Sequence, residues 1–176
     1  MSSLVPAVIP ERIDRLVLLE GFGPMADDPE AAPAGLAKAL RQEERLATAE
    51  PRIFPSLEAA IEARRRDSDL DPSSARLLVE RGTEPVAGGV IFTSDPRLKT
   101  RSRVRFTEDQ VLAFLRAISC PVLAVRASQG WPFPEDLVGA RKAAVPDLTV
   151  AEVDGGHHVH LTDPDRVAPH VLDFFG

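Results

Sequence analysis

The run Leu16-Val17-Leu18-Leu19, closed off by Gly21 and Gly23, contains no polar residue that would mark a solvent face. A strand of that composition is satisfied only where both faces are covered, which is the situation of parallel strands lying under helices. A second apolar run, PVLAV at 121–125, reads as another buried strand, and the valine-rich stretch 148–153 as a third. Helical patterns separate the last two, so the chain is predicted to be α/β, with a parallel sheet and flanking helices.

Those helices announce themselves by period and by caps. Thr107 and Gln110 fit a capping box, and Val111, Phe114, Leu115 and Ile118 follow at the spacing of one buried stripe. Residues 135–144 are predicted helical with Leu137 and Ala140 inward. In the last helix Asp163 is the expected cap, Pro164 occupies the first turn, and Val167, Val171, Leu172 and Phe175 form the expected buried face. Near the N-terminus, Leu4, Val5 and Val8 have helical spacing until Pro10 stops them. The middle has a different texture, with helical patterns at 36–46, in SLEAAIEARRR after Ser56, and in DPSSARLLVERG, where Asp71 is a cap and Gly82 a stop. GGVIFTSDPRLK holds one short strand or an extended loop. The expected organisation is therefore an α/β layer from 1–32 and 106–176, interrupted by a mostly helical insertion, 33–105.

Composition narrows the function. A chain of 176 residues is one domain, or one lobe plus an excursion. A formal net charge of -6 opposes nucleic-acid binding, which needs a basic field, and Arg64, Arg65 and Arg66 read as a solvated helix end. No apolar run approaches a membrane span and no signal segment opens the chain, so no membrane partner is expected and the cytoplasm is the expected compartment. Cys120, the only cysteine, excludes disulfides and cysteine-rich metal sites and reads as a buried small hydrophobe.

Chemistry concentrates in DGGHHVHLTDP, 154–164, where a strand runs through two glycines into His157, His158 and His160. Such a stretch hands a histidine to an active site. A zinc site is the rival reading, but adjacent histidines on a strand-end loop diverge, and no Asp, Glu or Cys stands at a recognised ligand spacing. No metal and no cofactor are expected. Glu20 stands at the C-terminal end of the first strand, the edge at which open α/β sheets bind ligands.

The ordered set PERIDRLVLLEGFGP, PSLEAAIEARR, DPRLK, QVLAFLRAISCPVLAVRA and GGHHVHLTDPDRVA resembles the C-terminal half of the α/β-hydrolase superfamily, nearest its serine-hydrolase-like members. The resemblance implies a partial α/β-hydrolase fold, its last three parallel strands with flanking helices and an inserted helical cap. It implies that His157, the histidine about seven residues before a helix-opening proline, is the catalytic base. The superfamily's G-x-S-x-G element precedes a helix and a P-E-R segment, here Pro10, Glu11 and Arg12, which places the serine about five residues before Met1. The nucleophile is thus expected outside this chain, Met1 is read as internal to a longer parent, and Ser2 and Ser3 do not take the role. Many members carry the acid after the penultimate strand, where RASQGWPF offers only Gln129; others carry it one strand earlier, at Glu20. Glu20 is the expected acid, with Asp136 and Glu135 as alternatives. Trp131 and Phe133 are expected in packing, with a substrate pocket as the second reading.

The resemblance further implies an esterase-like enzyme of Ser-His-acid type for a small apolar substrate, present here as a C-terminal portion and inactive alone. A non-catalytic ligand- or partner-binding remnant, and a fragment of a dehalogenase or epoxide hydrolase with an aspartate nucleophile, stay open. An uncovered edge on the first strand implies a complementary chain or self-association.

Overall fold

A computed structural model describes residues 2–66, 68 and 70–176; Met1, with the expectation placed on it, lies outside them. In chain order the elements are α1 (Val5–Val8), β1 (Leu16–Leu19), α2 (Ala32–Ala47), α3 (Leu57–Arg66), α4 (Pro72–Gly82), β2 (Thr83–Val86), β3 (Gly89–Phe92), α5 (Glu108–Arg116), β4 (Val122–Gln129), α6 (Glu135–Ala144), β5 (Leu148–Gly156), α7 (Val159–Thr162) and α8 (Pro164–Phe175). They fall into two compact units, Met1–Pro29 with Arg105–Gly176, and Glu30–Val104. Among the described residues no helix is long and apolar enough to cross a membrane.

The first unit is built on a parallel sheet in the order β1-β4-β5. Leu16 pairs with Val122 and Leu19 with Val125, while Val122 pairs in turn with Leu148. Alternation along β4 divides the core. Val122 and Ala124 pack with Leu16, Leu18 and the α5 residues Val111 and Leu115, and Leu123, Val125 and Ala127 pack on the other face with Val153, Val159 and Val167. The capping box at Thr107 and Gln110 opens α5.

The expectation of cover on both faces describes β4, but not β1, where Val17 is half-buried and Leu19 is 41% exposed. α8 packs on β4 and β5, which leaves the corresponding face of β1 thinly covered. Two helix faces also differ from expectation. In α6 the buried residues are Val138, Arg141 and Ala144, while Ala140 is exposed and Leu137 half-buried. A buried arginine sets that face, and a pattern counted on apolar residues alone rotates it by one position. In α8 the inward stripe is Val167, Val171 and Phe174, the i, i+4, i+7 row, whereas Leu172 and Phe175 are 69% and 55% exposed. Asp163 makes no side-chain cap; its carboxylate accepts from Arg166 Nε instead.

In the second unit, α3 packs on α4, and β2 and β3 form an antiparallel hairpin, Thr83 opposite Phe92. The short strand that GGVIFTSDPRLK could hold is β3; its partner β2 was not expected, because TEPV carries Glu84 and Pro85, which hide a strand from a propensity reading. Gly89, at φ +146°, passes so close to Phe54 that a Cβ would lie 1.8 Å from its carbonyl oxygen, and Val90 and Phe54 exchange backbone bonds of 2.9 Å. Arg103 forms a two-pronged pair with Glu43 of α2.

Asp71 caps α4, accepting from the Ser73 and Ser74 N–H groups at 2.8 and 3.0 Å. Hydrogen bonds from Ser73, then Ser74, hold its carboxyl well below the usual carboxylate range. A carboxyl depressed in the folded state adds stability above its unfolded value, and that contribution is lost as pH falls through the folded one. The start of α4 is therefore expected to fray as pH drops below about 4. Amide shifts of Ser73 and Ser74 followed by NMR in acid should show this, and Asp71→Asn, which keeps an acceptor without a titrating proton, should flatten the response. An identical acid response in that variant contradicts the assignment.

Candidate functional site

Glu20 follows β1 and is the one non-glycine residue among those described with positive φ, 53°. A left-handed residue of this kind costs about 1–2 kcal/mol. Its N–H still continues the ladder, donating to the Val125 carbonyl at 3.0 Å. In an uninterrupted parallel ladder the Ala127 N–H would then meet the Glu20 carbonyl. Here the chain turns away, and the side-chain carboxylate takes that bond through Oε1. Oε2 accepts from the Trp131 N–H at 3.3 Å and lies 3.1 Å from His157 Nδ1. The Glu20 side chain is only 6% exposed.

His157 comes directly after β5. The end of that strand is tied to the end of β4 by Ser128, whose hydroxyl donates to Asp154 Oδ1 at 2.8 Å and accepts from the Gly155 N–H at 3.3 Å, and Arg166 Nη1 pairs with Asp154 Oδ2 at 3.3 Å. Gly155, at φ +143°, sits where a Cβ would lie 2.8 Å from a Val159 methyl. Nδ1 faces the Glu20 carboxylate, which leaves Nε2 as the other ring nitrogen, and the side chain is 36% exposed. Trp131, more than half exposed, presents its ring 5.7 Å from the imidazole. The His158 ring lies 4.9 Å from that of His157, and His160 lies 6.2 Å beyond.

Of the residues singled out from sequence, the structure brings Glu20 and His157 into contact. Gln129 is exposed, and Glu135 and Asp136 stand exposed in the first turn of α6, where their charge suits the helix dipole. Trp131 and Phe133 are not core residues; with Gly21, Phe22, Arg126 and Val138 they line a small cavity beside Glu20. Three contributors were not foreseen. The Ala127 and Trp131 amides are backbone groups, which residue identity does not reveal. Arg141, 3% exposed, is gripped by Glu108 at 2.8 and 2.6 Å and donates to the Phe22 carbonyl at 2.8 Å, two residues beyond Glu20.

No family model matches the chain. It is 38% identical over 115 residues to a Drosophila melanogaster protein named "Probable serine hydrolase", covering 61% of this chain and 35% of that one. It is 26% identical to the "Serine hydrolase-like protein" of Danio rerio across 99% of this chain and 56% of that one. The crystal structure of a hypothetical protein from Pseudomonas aeruginosa PAO1 superposes with a TM-score of 0.86 at 35% identity, over 99% of this chain and 63% of that one. The chain thus spans between about a third and two thirds of the length of these relatives. The parallel sheet and its flanking helices match part of the fold of α/β-hydrolase structures. The chain belongs to the α/β-hydrolase superfamily, in its serine-hydrolase-like group.

Proposed function

We propose that the chain carries the proton-handling side of an esterase-like serine hydrolase, with Glu20 as the orienting acid, His157 as the base, and Glu30–Val104 as the inserted cap. The carrying observation is the buried Glu20 carboxylate on His157 Nδ1 at 3.1 Å. That bond fixes the tautomer in which Nε2 is free to accept a proton. Nε2 takes the proton of a serine hydroxyl as its oxygen bonds to the ester carbonyl carbon, then returns it to the departing alkoxide. In the second half a water gives its proton to Nε2, its oxygen bonds to the acyl carbon, and the serine oxygen leaves reprotonated with the acid released. The apolar walls beside Glu20, Phe22, Trp131 and Phe133, favour a small apolar ester.

The serine in this reading comes from polypeptide outside 1–176. Among the described residues no hydrogen bond joins His157 to a hydroxyl or thiol; Ser3 is buried, and Ser2 lies in a single helical turn with it. The polypeptide that brings the serine adds its strand to the free edge of β1. The 176-residue chain treated with a fluorophosphonate probe is expected to show no stoichiometric labelling and no hydrolysis of a simple aryl ester. Co-expression with a serine-bearing complement should give both, with β1 amides protected from hydrogen exchange in the complex. Labelling of Ser2 or Ser3 in the chain alone sinks the missing-nucleophile part, and an active complex with unprotected β1 amides sinks the edge pairing.

A further inference from the structure

We infer that Gly130 is a positioning residue for the acid, an inference that rests on reading Glu20 as the partner of His157. A Cβ placed on Gly130 would lie 2.2 Å from Glu20 Oε2 and 2.8 Å from both Cδ and Oε1. Those separations are far inside van der Waals contact, and the obstacle is the carboxylate itself. The Gly130 backbone is not in the left-handed region, so its φ does not exclude alanine, and the three atoms nearest the added carbon all belong to the Glu20 carboxyl group.

The geometry shows what the missing methyl permits. Gly130 N–H donates to the Ala127 carbonyl at 3.1 Å, closing a tight turn around the carboxylate. One end of the turn gives the Ala127 amide to Oε1, and the residue after Gly130 gives the Trp131 amide to Oε2. Glu20 can retreat only by giving up those amide bonds, and its side chain is only 6% exposed. The oxygen nearest the added carbon is Oε2, the same one that meets His157. Gly130→Ala must therefore push that oxygen away or open the turn, and either movement breaks its alignment with Nδ1.

The test uses the 176-residue chain and four forms: unaltered, Gly130→Ala, Glu20→Ala, and both changes together. The first readout is the low-field proton resonance of an imidazole N–H bound to a carboxylate, expected in the unaltered chain and lost in Gly130→Ala. The second is melting. Gly130→Ala is expected to lower Tm by about 5 °C as an overpacked contact, and by less than about 1 °C once Glu20→Ala has emptied the space, a non-additivity expected only of groups in contact. Folding of the double variant where Gly130→Ala alone fails to fold supports the inference equally. Persistence of the resonance in Gly130→Ala overturns it, as does an equal melting loss, or failure to fold, in both backgrounds. Absence of the resonance from the unaltered chain removes the Glu20–His157 pairing instead, and the melting cycle then still decides whether Gly130 abuts the carboxylate.

Discussion

Glu20→Gln is expected to lower kcat by about 10⁴-fold in an active complex that includes the serine, with KM little changed, the loss that follows when a triad carboxylate elsewhere becomes an amide. The reason lies in the donor count. Three donors converge on this carboxylate: the Ala127 N–H at Oε1, and the Trp131 N–H and His157 Nδ1 at Oε2. A carboxylate satisfies them all because both oxygens only accept. An amide has one oxygen. If that oxygen stays at the two-donor position, its NH₂ faces the Ala127 N–H, donor against donor; if it turns over, the NH₂ faces Nδ1 and selects the tautomer with the proton on Nε2, which cannot act as a base. In either orientation the imidazolium formed during turnover has no opposing charge. Glu135→Gln is the matched control, since that side chain is exposed at the start of α6, and turnover should stay near that of the unaltered complex. Steady-state hydrolysis of an aryl ester checks both. Comparable activity in the two variants removes Glu20 from the mechanism.

The features that sequence revealed were those written in side-chain type along one element. The unalternating run 16–19 and the apolar run at 121–125 announced a covered parallel sheet, and the sheet forms with β4 at its centre. Glu20 could be singled out because a polar residue at the end of an apolar strand stands at the ligand-binding edge, and the histidines of 157–160 because a strand and two glycines lead into them; the choice of His157 among them is what the resemblance to the α/β-hydrolases implies. What stayed hidden depends on groups that do not show in residue identity or on partners distant along the chain. The amides that hold Glu20 belong to Ala127 and Trp131, residues unremarkable as donors. The constraint on Gly130 comes from an oxygen 110 residues away in the chain, which no local pattern displays. The α6 face was misplaced because an arginine normally marks solvent, and Arg141 points inward only because Glu108 and the Phe22 carbonyl await it. Lacking that information, a periodic pattern gives the helix and misses its rotation.

That same arginine gives the largest stability effect expected in the chain. Arg141→Met is expected to destabilise the first unit by about 2–3 kcal/mol, the cost of leaving a buried carbonyl without its donor and a partly exposed carboxylate without its partner, and to lower Tm by roughly 10 °C. Methionine fits the aliphatic part of the space, so most of the loss comes from what is left behind. Glu108, 31% exposed, can recover part of its solvation from water. The Phe22 carbonyl faces a site where the guanidinium is 4% exposed, and it loses its donor with little water to replace it. Arg141→Lys restores the charge but not the fork that spans the carboxylate and the carbonyl together, and should recover less than half of the loss. Glu108→Gln, which keeps one acceptor and leaves the bond to Phe22 intact, should cost less than Arg141→Met. Phe22 is two residues beyond Glu20, in the turn whose Gly23 lies at φ +95° against Val111 and Arg141. Loosening that turn should therefore also weaken the low-field resonance of the Glu20–His157 pair at temperatures well below the melt. A urea titration giving an unaltered midpoint for Arg141→Met would show that the fork merely fills space, and a resonance that survives at full strength would separate the arginine from the acid it is argued to brace.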